Sequence, residues 1–368
     1  MKFVVSGYFG FQNIGDEAIL TAMIQHLREI SHGSEIVVLS HDPVLTKKLH
    51  NVHAINRMDI PGLCRELADA DLFISGGGSL LQDVTSPRSV PYYLGLATLA
   101  KVMKKPVFFY AQGIGPLNLA LSKFLVRTVG NSVDAITVRD EPSQGLLKSL
   151  GVNRPEIQVV ADPAFGLKLV HGMVNGRDLL LAHEIPVQEN PLVIVSVRPW
   201  PAVPGYMEAV AEACDDLVKT HGAVVVYVPF HRVQDVTICR ACIELMQERA
   251  HMLDGDFLPQ EILSVMEEAD FAITMRYHSL VFAVATATPF AALSYDPKVD
   301  GLLSIVGETP GLSADRRDVD SFADYVKDAW RRRGDMKTSL TTLAPKLAES
   351  AKDAAYLAVE TAREKSSP

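Results

Sequence analysis

Residues 2–30, KFVVSGYFGFQNIGDEAILTAMIQHLREI, decide the fold class of this chain. The segment opens with an apolar strand pattern at residues 2–6 and continues into a glycine-rich loop at residues 7–17. Apolar residues then recur at the spacing of an amphipathic helix over residues 17–30. A strand, a glycine loop and a helix in this order are typical of a βαβ unit, so we predict an α/β protein with a parallel sheet.

The same alternation continues outward from this unit. We predict further strands at residues 35–40, 72–75, 106–112, 135–138 and 158–160. We predict one helix at residues 60–68 and another that follows the strand at 106–112 and ends at about residue 129. The pattern weakens at residues 171–190, where HG, NGRD and ENP are turn-forming sequences. A second series predicts strands at 192–197, 223–228, 271–274 and 290–293, with helices at 208–220, 235–248, 259–268 and 279–287.

Two alternating series predict two Rossmann-like, doubly wound domains with parallel sheets, at residues 1–172 and 190–320. Charged helical patterns over residues 321–368 predict a C-terminal helical segment that packs across the domains. Ligands of open α/β sheets bind beyond the carboxyl ends of the strands. We therefore expect an inter-domain cleft, lined by the loops that follow the strands.

The composition describes a well-buried globular chain. Its 368 residues suit two domains, 48% are hydrophobic and 21% are charged. A net charge of -9 argues against a broad nucleic-acid-binding surface, so we expect no nucleic acid partner. Four cysteines do not suggest a disulfide framework, and we interpret Cys239 and Cys242 as ordinary helix cysteines rather than a zinc or redox pair.

The sequence contains no apolar run of about 18 residues, so it predicts no membrane-spanning helix. The apolar stretch at residues 3–5 is too short for the core of a signal peptide. We therefore expect a cytoplasmic protein. Contact with the inner face of the cell membrane stays open, as does the oligomeric state.

The first loop, residues 7–17, matches neither G-x-G-x-x-G nor the Walker A spacing. Asp16 and Glu17 lie at the predicted helix start, where the helix dipole favours carboxylates but the carboxylates repel a phosphate. An acidic helix start suits a neutral ligand with hydroxyl groups, such as a sugar, and we favour Asn13 and Asp16 as its polar contacts. An N-cap followed by a tight turn explains the same residues without a ligand.

The second glycine loop, SGGGS at residues 75–79, allows close backbone approach at Gly77 and Gly78 and predicts free amides at a helix N-terminus. A plain strand-to-helix turn is the alternative. Arg139 follows the strand at residues 135–138, and it either points into the cleft or pairs with a neighbouring acid.

In the second half, each predicted strand is followed by basic or titratable side chains. These residues are Arg198, His231, Arg276, His278 and Lys298. A lone histidine is more often structural. Five such side chains at one sheet edge predict an anion site, with enough positive charge for a carboxylate and a phosphate.

Taken together, these motifs resemble the signature of the polysaccharide pyruvyl transferases, from residue 6 to about residue 298. The matching positions are Asn13, Gly15, Asp16 and Glu17, SGGG at 75–78, QGIGP at 112–116, VRD at 138–140 and RYH at 276–278. Within the family, the similarity is greatest to members that act on bacterial cell walls. Several separated motifs in the right order are more specific than any single glycine loop.

The resemblance implies a GT-B-like fold with phosphoenolpyruvate as donor and a polysaccharide, or its lipid-linked precursor, as acceptor. The product is a cyclic pyruvate ketal on the sugar, with release of phosphate. For the cell-wall members it implies N-acetylmannosamine in a secondary cell-wall polymer, where such ketals anchor surface-layer proteins. It implies neither a metal ion nor a cofactor besides the substrates.

We accordingly assign the donor-binding residues to the second half, with Arg139 reaching from the first. They are Arg139, Arg198, His231, Arg276, His278 and Lys298. The acceptor-binding candidates are Asn13, Asp16, Gly77 and Gly78. We predict His278, Asp16 and Lys298 as the catalytic residues, with His278 as acid or phosphate partner and Asp16 orienting or deprotonating the acceptor hydroxyl.

Two other functions fit the same architecture. A nucleotide-sugar-dependent GT-B glycosyltransferase needs a carboxylate for the ribose, for which Glu261 or Asp296 is available in the sequence. A non-catalytic sugar-binding protein has little use for five clustered basic side chains.

Overall fold

The computed structural model describes residues 1–169, 175–187, 190–313 and 315–366, and only the backbone of residues 365 and 366. The chain divides into two compact units. The N-terminal unit contains Met1–Phe11, Asp16–Leu167 and Leu347–Pro368. The C-terminal unit contains Lys168–Lys346 together with Gln12–Gly15 from the first loop.

The described N-terminal unit is built on an eight-stranded parallel sheet. Its strands are β1 (Lys2–Ser6), β2 (Glu35–Ser40), β3 (His53–Asn56), β4 (Leu72–Ser75), β5 (Gly78–Leu81), β6 (Val107–Ile114), β7 (Ala135–Val138) and β8 (Ile157–Val159). Their order is β3-β2-β1-β4-β6-β7-β8, and β5 pairs separately with β6. The helices are α1 (Ile14–Ile30), α2 (Pro43–His50), α3 (Ile60–Ala68), α4 (Ser89–Val102), α5 (Ala120–Gly130) and α6 (Glu141–Ser149). A short 3-10 helix at Pro163–Gly166 follows β8.

The described C-terminal unit contains a six-stranded parallel sheet. Its strands are β9 (Leu192–Ser196), β10 (Val224–Tyr227), β11 (Ala250–Met252), β12 (Phe271–Thr274), β13 (Phe290–Ser294) and β14 (Leu312–Ser313), in the order β11-β10-β9-β12-β13-β14. The helices are α7 (Gly176–Ala182), α8 (Tyr206–His221), α9 (Arg232–Leu245), α10 (Pro259–Glu267), α11 (Tyr277–Ala285), α12 (Pro297–Val306), α13 (Phe322–Arg331) and α14 (Arg333–Ser366). The last of these continues into the N-terminal unit.

The apolar runs that predicted strands are the buried centres of the two sheets. β4 and β9 are buried along their whole length, as strands covered by helices on both faces must be. Phe73 and Phe109 belong to the core of the first sheet, and Val195 and Ile273 to that of the second. The predicted α/β class with two parallel sheets is confirmed.

The structure corrects the prediction for the second glycine loop. The chain does not enter a helix after Gly78 but forms β5, which pairs with the long strand β6, and the next helix begins only at Ser89. Gly78 has φ of +90°, a left-handed conformation that only glycine adopts without strain, and this turns the chain back into the sheet. The prediction that this loop presents free amides at a helix N-terminus is therefore wrong.

The predicted domain boundary at residues 171–190 contains a helix instead of turns alone. Asn175, expected to form a turn, is the N-cap of α7 and accepts a hydrogen bond from the Asp178 amide at 2.8 Å. The HG motif at residues 171–172, Glu189 and residues 367–368 of the predicted tail lie outside the described residues. The rest of the tail forms α13 and α14, whereas its packing across the domains stays a prediction.

Cys239 and Cys242 both lie on α9 with their side chains buried and without a disulfide. Burial raises the pKa of Cys242 to about 12, so its thiolate is scarce at neutral pH. Within the described ranges, no group of three or more His, Cys, Asp or Glu side chains is placed to hold a metal ion. No described helix is long and apolar enough to cross a membrane.

Glu17 fixes the start of the first loop within the N-terminal unit. Its side chain is buried, and one carboxylate oxygen accepts a hydrogen bond from the Gly10 amide at 2.7 Å. The other carboxylate oxygen lies 2.7 Å from Nε2 of His50, whose Nδ1 contacts the Thr21 hydroxyl at 3.1 Å. Of the two acidic residues at the start of α1, Glu17 therefore faces the interior.

We expect Glu17→Ala to lower the free energy of unfolding by about 3 kcal/mol, because it removes the acceptor of two buried donors. Urea denaturation measures this change, with Glu156→Ala as the control, since Glu156 is exposed and its loss should cost less than about 0.5 kcal/mol. Equal stability of the two variants would contradict this role for Glu17.

Candidate functional site

Three described helices of the C-terminal unit begin with basic or titratable side chains at the edge where the strands of its sheet end. His231 is the N-cap of α9, and Arg276 is the N-cap of α11. His278 lies in the first turn of α11 and Lys298 in the first turn of α12. Helix N-termini present free amides and a partial positive charge, so these side chains reinforce an anion-binding edge.

Arg198 follows β9, and its side chain joins this edge through Tyr295. The guanidinium carbon of Arg198 lies 4.1 Å from the centroid of the Tyr295 ring, and Nζ of Lys298 lies 5.5 Å from it. The structure thus brings Arg198 and Lys298 to one aromatic ring from separate strands. We call Arg198, His231, Arg276, His278 and Lys298 the cation cluster.

The positive charge of the cluster acts on the pKa of Tyr295. Burial alone would raise the pKa of this phenol, but Lys298, Arg198 and Arg276 outweigh that effect and lower the pKa below its usual value of 10.0. An environment that favours a phenolate also favours a bound anion.

Asp235 orients two members of the cluster. Its carboxylate is fully buried and accepts hydrogen bonds from the His231 amide at 2.8 Å and from Nε of Arg276 at 2.9 Å, with a second, short contact to the Arg276 guanidinium. Asp296 caps α12, with an oxygen 3.6 Å from Nζ of Lys298. These two carboxylates fix the cations and offset part of their charge.

Several buried donors of this edge have no hydrogen-bond partner among the described residues. They are the donors Nε of Arg198, the hydroxyl of Ser196 at the end of β9 and one ring nitrogen of His231, whose other ring nitrogen is an acceptor that is also unpaired. His231 is only 7% exposed, and burial together with Arg276 lowers its pKa below 6.5. Leaving such groups unpaired costs about 1–3 kcal/mol each, which a ligand with acceptor oxygens would recover.

Part of the first loop lies against the histidines of the cluster. Asn13 and His231 form an isolated antiparallel bridge, and the Ile14 amide donates to the Phe230 carbonyl at 2.8 Å. Gly15 packs so closely on the His278 ring that a Cβ atom would overlap it. Glycine is therefore required at position 15 while His278 keeps this orientation.

In the N-terminal unit, Asp16, Gly77 and Gly78 lie together. A Cβ atom on Gly78 would be 3.1 Å from a carboxylate oxygen of Asp16, and one on Gly77 would be 2.8 Å from the Ile19 side chain. These glycines let the β4–β5 loop approach the start of α1. The acceptor-binding role of Asp16, Gly77, Gly78 and Asn13 stays a prediction.

Arg139 pairs with an acid, which is one of the two alternatives that the sequence left open. Its guanidinium is buried, bonds to Asp162 at 3.0 Å and donates to the Ser79 hydroxyl at 2.8 Å. It lies over Gly113, where a Cβ atom would approach Nη2 to 2.6 Å. A role for Arg139 in donor binding stays a prediction.

The structure adds an aromatic stack that sequence reasoning missed. Tyr8 stacks on Phe11 with ring centroids 4.0 Å apart, and Phe11 stacks on His41 at 4.4 Å. The Arg57 guanidinium lies 4.2 Å from the Tyr92 ring centroid and 5.3 Å from that of Phe11. Tyr8 and Phe11 lie in the loop after β1, so the sequence alone could have indicated these two aromatic residues. Arg57 follows β3, a strand that we did not predict from the sequence.

The chain is similar to known proteins in its sequence and in its fold. The sequence profile of the family described as polysaccharide pyruvyl transferase matches residues 13–297. Amylovoran biosynthesis protein AmsJ of Erwinia amylovora is 20% identical over 264 residues, which cover 68% of this chain and 62% of that protein. The match thus spans less than two thirds of this relative's length.

Two of the solved structures with a similar fold contain nucleotide sugars. The UDP-GlcNAc 2-epimerase from Neisseria meningitidis, bound to UDP-GlcNAc, matches with a TM-score of 0.69 at 12% identity over 99% of this chain and 100% of that chain. Anabaena Alr3699/HepE in complex with UDP-glucose matches with a TM-score of 0.60 at 13% identity over 99% and 98%. At these identities the likeness concerns the fold alone, and it confirms the predicted GT-B-like class.

We expect one tyrosine to ionise below pH 10 in the folded protein, because Lys298, Arg198 and Arg276 favour the Tyr295 phenolate. Tyrosinate absorbance during a pH titration measures this, and Lys298→Met should shift the transition to higher pH. Tyr295→Phe should remove the transition, whereas Tyr356→Phe, at an exposed tyrosine, should leave it. Persistence of the transition in Tyr295→Phe would refute the assignment.

Proposed function

The chain belongs to the polysaccharide pyruvyl transferase family, and we propose that it transfers a pyruvyl group from phosphoenolpyruvate to a sugar of a cell-wall polysaccharide precursor. The product is a cyclic pyruvate ketal, and phosphate is released. The supporting observation is the cation cluster, in which helix N-termini and buried unpaired donors meet at one edge of a sheet. A lipid-linked acceptor would place the reaction at the inner face of the cell membrane.

The cation cluster suits the size and charge of phosphoenolpyruvate, whose carboxylate and phosphate are both attached to C2. Arg198 and Arg276 offer planar guanidinium groups for carboxylate or phosphate oxygens, and Lys298 offers a point charge. His231 is neutral at physiological pH because its pKa is lowered, so it binds as a hydrogen-bond partner without adding charge. Asp235 keeps Arg276 in place before the donor binds.

Ketal formation needs an acid and a base. A proton adds to the methylene carbon of phosphoenolpyruvate, a sugar hydroxyl attacks C2, and the bond from C2 to the phosphate oxygen breaks. A second hydroxyl of the same sugar then closes the ring on C2. The sugar loses two hydroxyl protons in this reaction. One balances the proton that converts the methylene group to a methyl group, and the other leaves on the released phosphate.

We assign His278 as the acid or phosphate partner, and Asp16 as the group that orients or deprotonates the acceptor hydroxyl. His278 lies at the N-terminus of α11, where the helix dipole favours the phosphate of the donor. Asp16 follows Gly15, whose backbone lies against the His278 ring. Lys298 stabilises the negative charge on the leaving phosphate.

The aromatic stack of the N-terminal unit supports a sugar as acceptor. The ring planes are parallel within 8° in each stacked pair, and the stacking covers both faces of Phe11. The outer faces of Tyr8 and His41 are then the ones on which the apolar face of a sugar would pack. Asp16 raises the pKa of Tyr8, after the larger effect of burial, which places its carboxylate near this stack. N-acetylmannosamine is the acceptor sugar that we propose.

A nucleotide-sugar glycosyltransferase remains the second candidate, because UDP-GlcNAc and UDP-glucose occupy proteins of this fold. The two candidate carboxylates for a ribose, Glu261 and Asp296, are engaged in helix caps. Glu261 accepts a hydrogen bond from the Leu258 amide at 2.7 Å, and Asp296 accepts one from the Lys298 amide at 3.1 Å. This engagement favours the smaller donor.

The reaction is tested by incubation of the protein with phosphoenolpyruvate and a panel of lipid-linked disaccharides. We expect mass spectrometry to show the mass of one pyruvate ketal added to an acceptor with terminal N-acetylmannosamine, with release of one phosphate. Transfer of a hexose from a nucleotide sugar to the same panel, without pyruvylation, would contradict the proposal.

We expect His278→Ala and Lys298→Ala each to lower turnover roughly 100- to 10,000-fold, since each removes an acid or a charge needed in the transition state. Initial rates with phosphoenolpyruvate measure the loss, and circular dichroism confirms the fold. His32→Ala and Lys337→Ala, at exposed positions outside the cluster, should turn over normally. Near-normal turnover of either cluster variant would show that the assignment is wrong.

A further inference from the structure

The N-terminal unit has a surface that differs in charge from the rest of the chain. Residues 84–133 contain no Asp or Glu, although the chain has 44 acidic residues among 368 and a net charge of -9. The same stretch contains six basic residues, namely Arg88, Lys101, Lys104, Lys105, Lys123 and Arg127. It forms α4, β6 and α5, and the two helices pack side by side. We call the exposed residues of 84–102 and 119–128 the acid-free face.

The exposed side of α5 combines large apolar side chains with basic ones. Leu121 is 60% exposed and Phe124 is 62% exposed, three residues apart on one face of the helix. Lys123 and Arg127 are exposed next to them. Exposed apolar residues flanked by Lys and Arg are typical of helices that lie on an anionic membrane surface.

The neighbouring loop and α4 extend this surface. Val84 is 62% exposed and Leu119 is 45% exposed. They are held close together because Asp83 accepts hydrogen bonds from the Leu119 amide at 2.8 Å and from the Asn118 amide at 2.8 and 3.0 Å. Asp83, the acid that directly precedes this stretch in the sequence, is thus buried and bonded to the amides at the start of α5.

On α4, the exposed positions after Arg88 contain no charge as far as Val102. They are Pro91, Gly95, Thr98 and Val102, spaced at three to four residues along one side of the helix. A water-facing helix surface usually has charged side chains at such positions. A helix with an uncharged exposed side, next to an apolar and basic helix, instead fits the boundary between lipid headgroups and acyl chains.

We propose that the acid-free face is the docking surface for the headgroup region of an anionic lipid bilayer. Leu121, Phe124, Val84 and Leu119 enter the acyl boundary, and Arg88, Lys123 and Arg127 pair with lipid phosphates. Lys101 lies at the far end of α4 and already pairs with Asp134 at 2.8 Å. The charge complementarity is local, because a chain of net charge -9 is otherwise repelled by anionic lipid.

The position of the face also suits a lipid-linked acceptor. β5 runs from Gly78, one of the predicted acceptor contacts, to Leu81, and Val84 follows three residues later. This proposal adds a partner to the proposed function. Because lipid binding is measured without turnover, the two proposals can fail separately.

Vesicle co-sedimentation of the full chain tests the proposal. We expect binding to vesicles that contain phosphatidylglycerol, weaker binding to pure phosphatidylcholine, and loss of binding as salt is added. Leu121→Glu with Phe124→Glu should lower the partition coefficient roughly tenfold or more, since both side chains leave the apolar phase. Lys123→Gln with Arg127→Gln should lower it by a similar factor on anionic vesicles only.

The matched control is Leu181→Glu with Ile305→Glu, which places the same charges at exposed apolar positions of the C-terminal unit. It should bind vesicles as the unmodified protein does, and thermal denaturation should show that every variant is folded. Absence of binding by the unmodified protein, or equal loss in the control, would overturn the proposal. So would sedimentation velocity in which Leu121→Glu with Phe124→Glu converts a dimer to a monomer, because the face would then belong to a second copy of the chain.

Discussion

The parallel pairing of the strands is the constraint on which the rest of the molecule depends. In a parallel sheet, each loop that follows a strand starts at the same edge. Arg198, His231, Arg276 and Lys298 follow β9, β10, β12 and β13, so residues up to a hundred positions apart meet at that edge. The helices that follow three of these strands point their N-termini to the same place, and backbone dipoles add to the side-chain charge.

Two buried carboxylates fix the loops that follow the strands. Asp235 fixes Arg276 and the backbone of His231, and Glu17 fixes the first loop through Gly10 and His50. Each lies in the first turn of a helix, where it is favoured by the dipole, and each is desolvated, so its partners cannot be removed without a large cost. The charged groups that remain solvent-accessible are thereby held in fixed orientations before any ligand binds.

Local patterns in the sequence were enough to predict most strands and the basic residues that follow them. β1, β2, β4, β7 and β12 have the predicted bounds, because each is an apolar run ended by a turn or a polar residue. β5 was missed because its first residue, Gly78, is a turn signal in the local sequence. Its place in a strand depends on pairing with β6, which local sequence does not show. α4 was missed because its exposed side has no charges to mark a helix period.

The Arg139–Asp162 and Arg276–Asp235 pairs join residues 23 and 41 positions apart, so neither pairing is readable from spacing.

The central claim is that the cation cluster binds a compact anion with a carboxylate and a phosphate. Thermal denaturation with candidate donors tests this claim most directly. At a concentration about 100-fold above Kd, phosphoenolpyruvate should stabilise the protein by roughly 2.7 kcal/mol and raise Tm by several degrees, whereas UDP should not. The rise should disappear in Arg198→Met, which removes the guanidinium whose Nε has no partner among the described residues. Stabilisation by UDP and not by phosphoenolpyruvate would contradict the account.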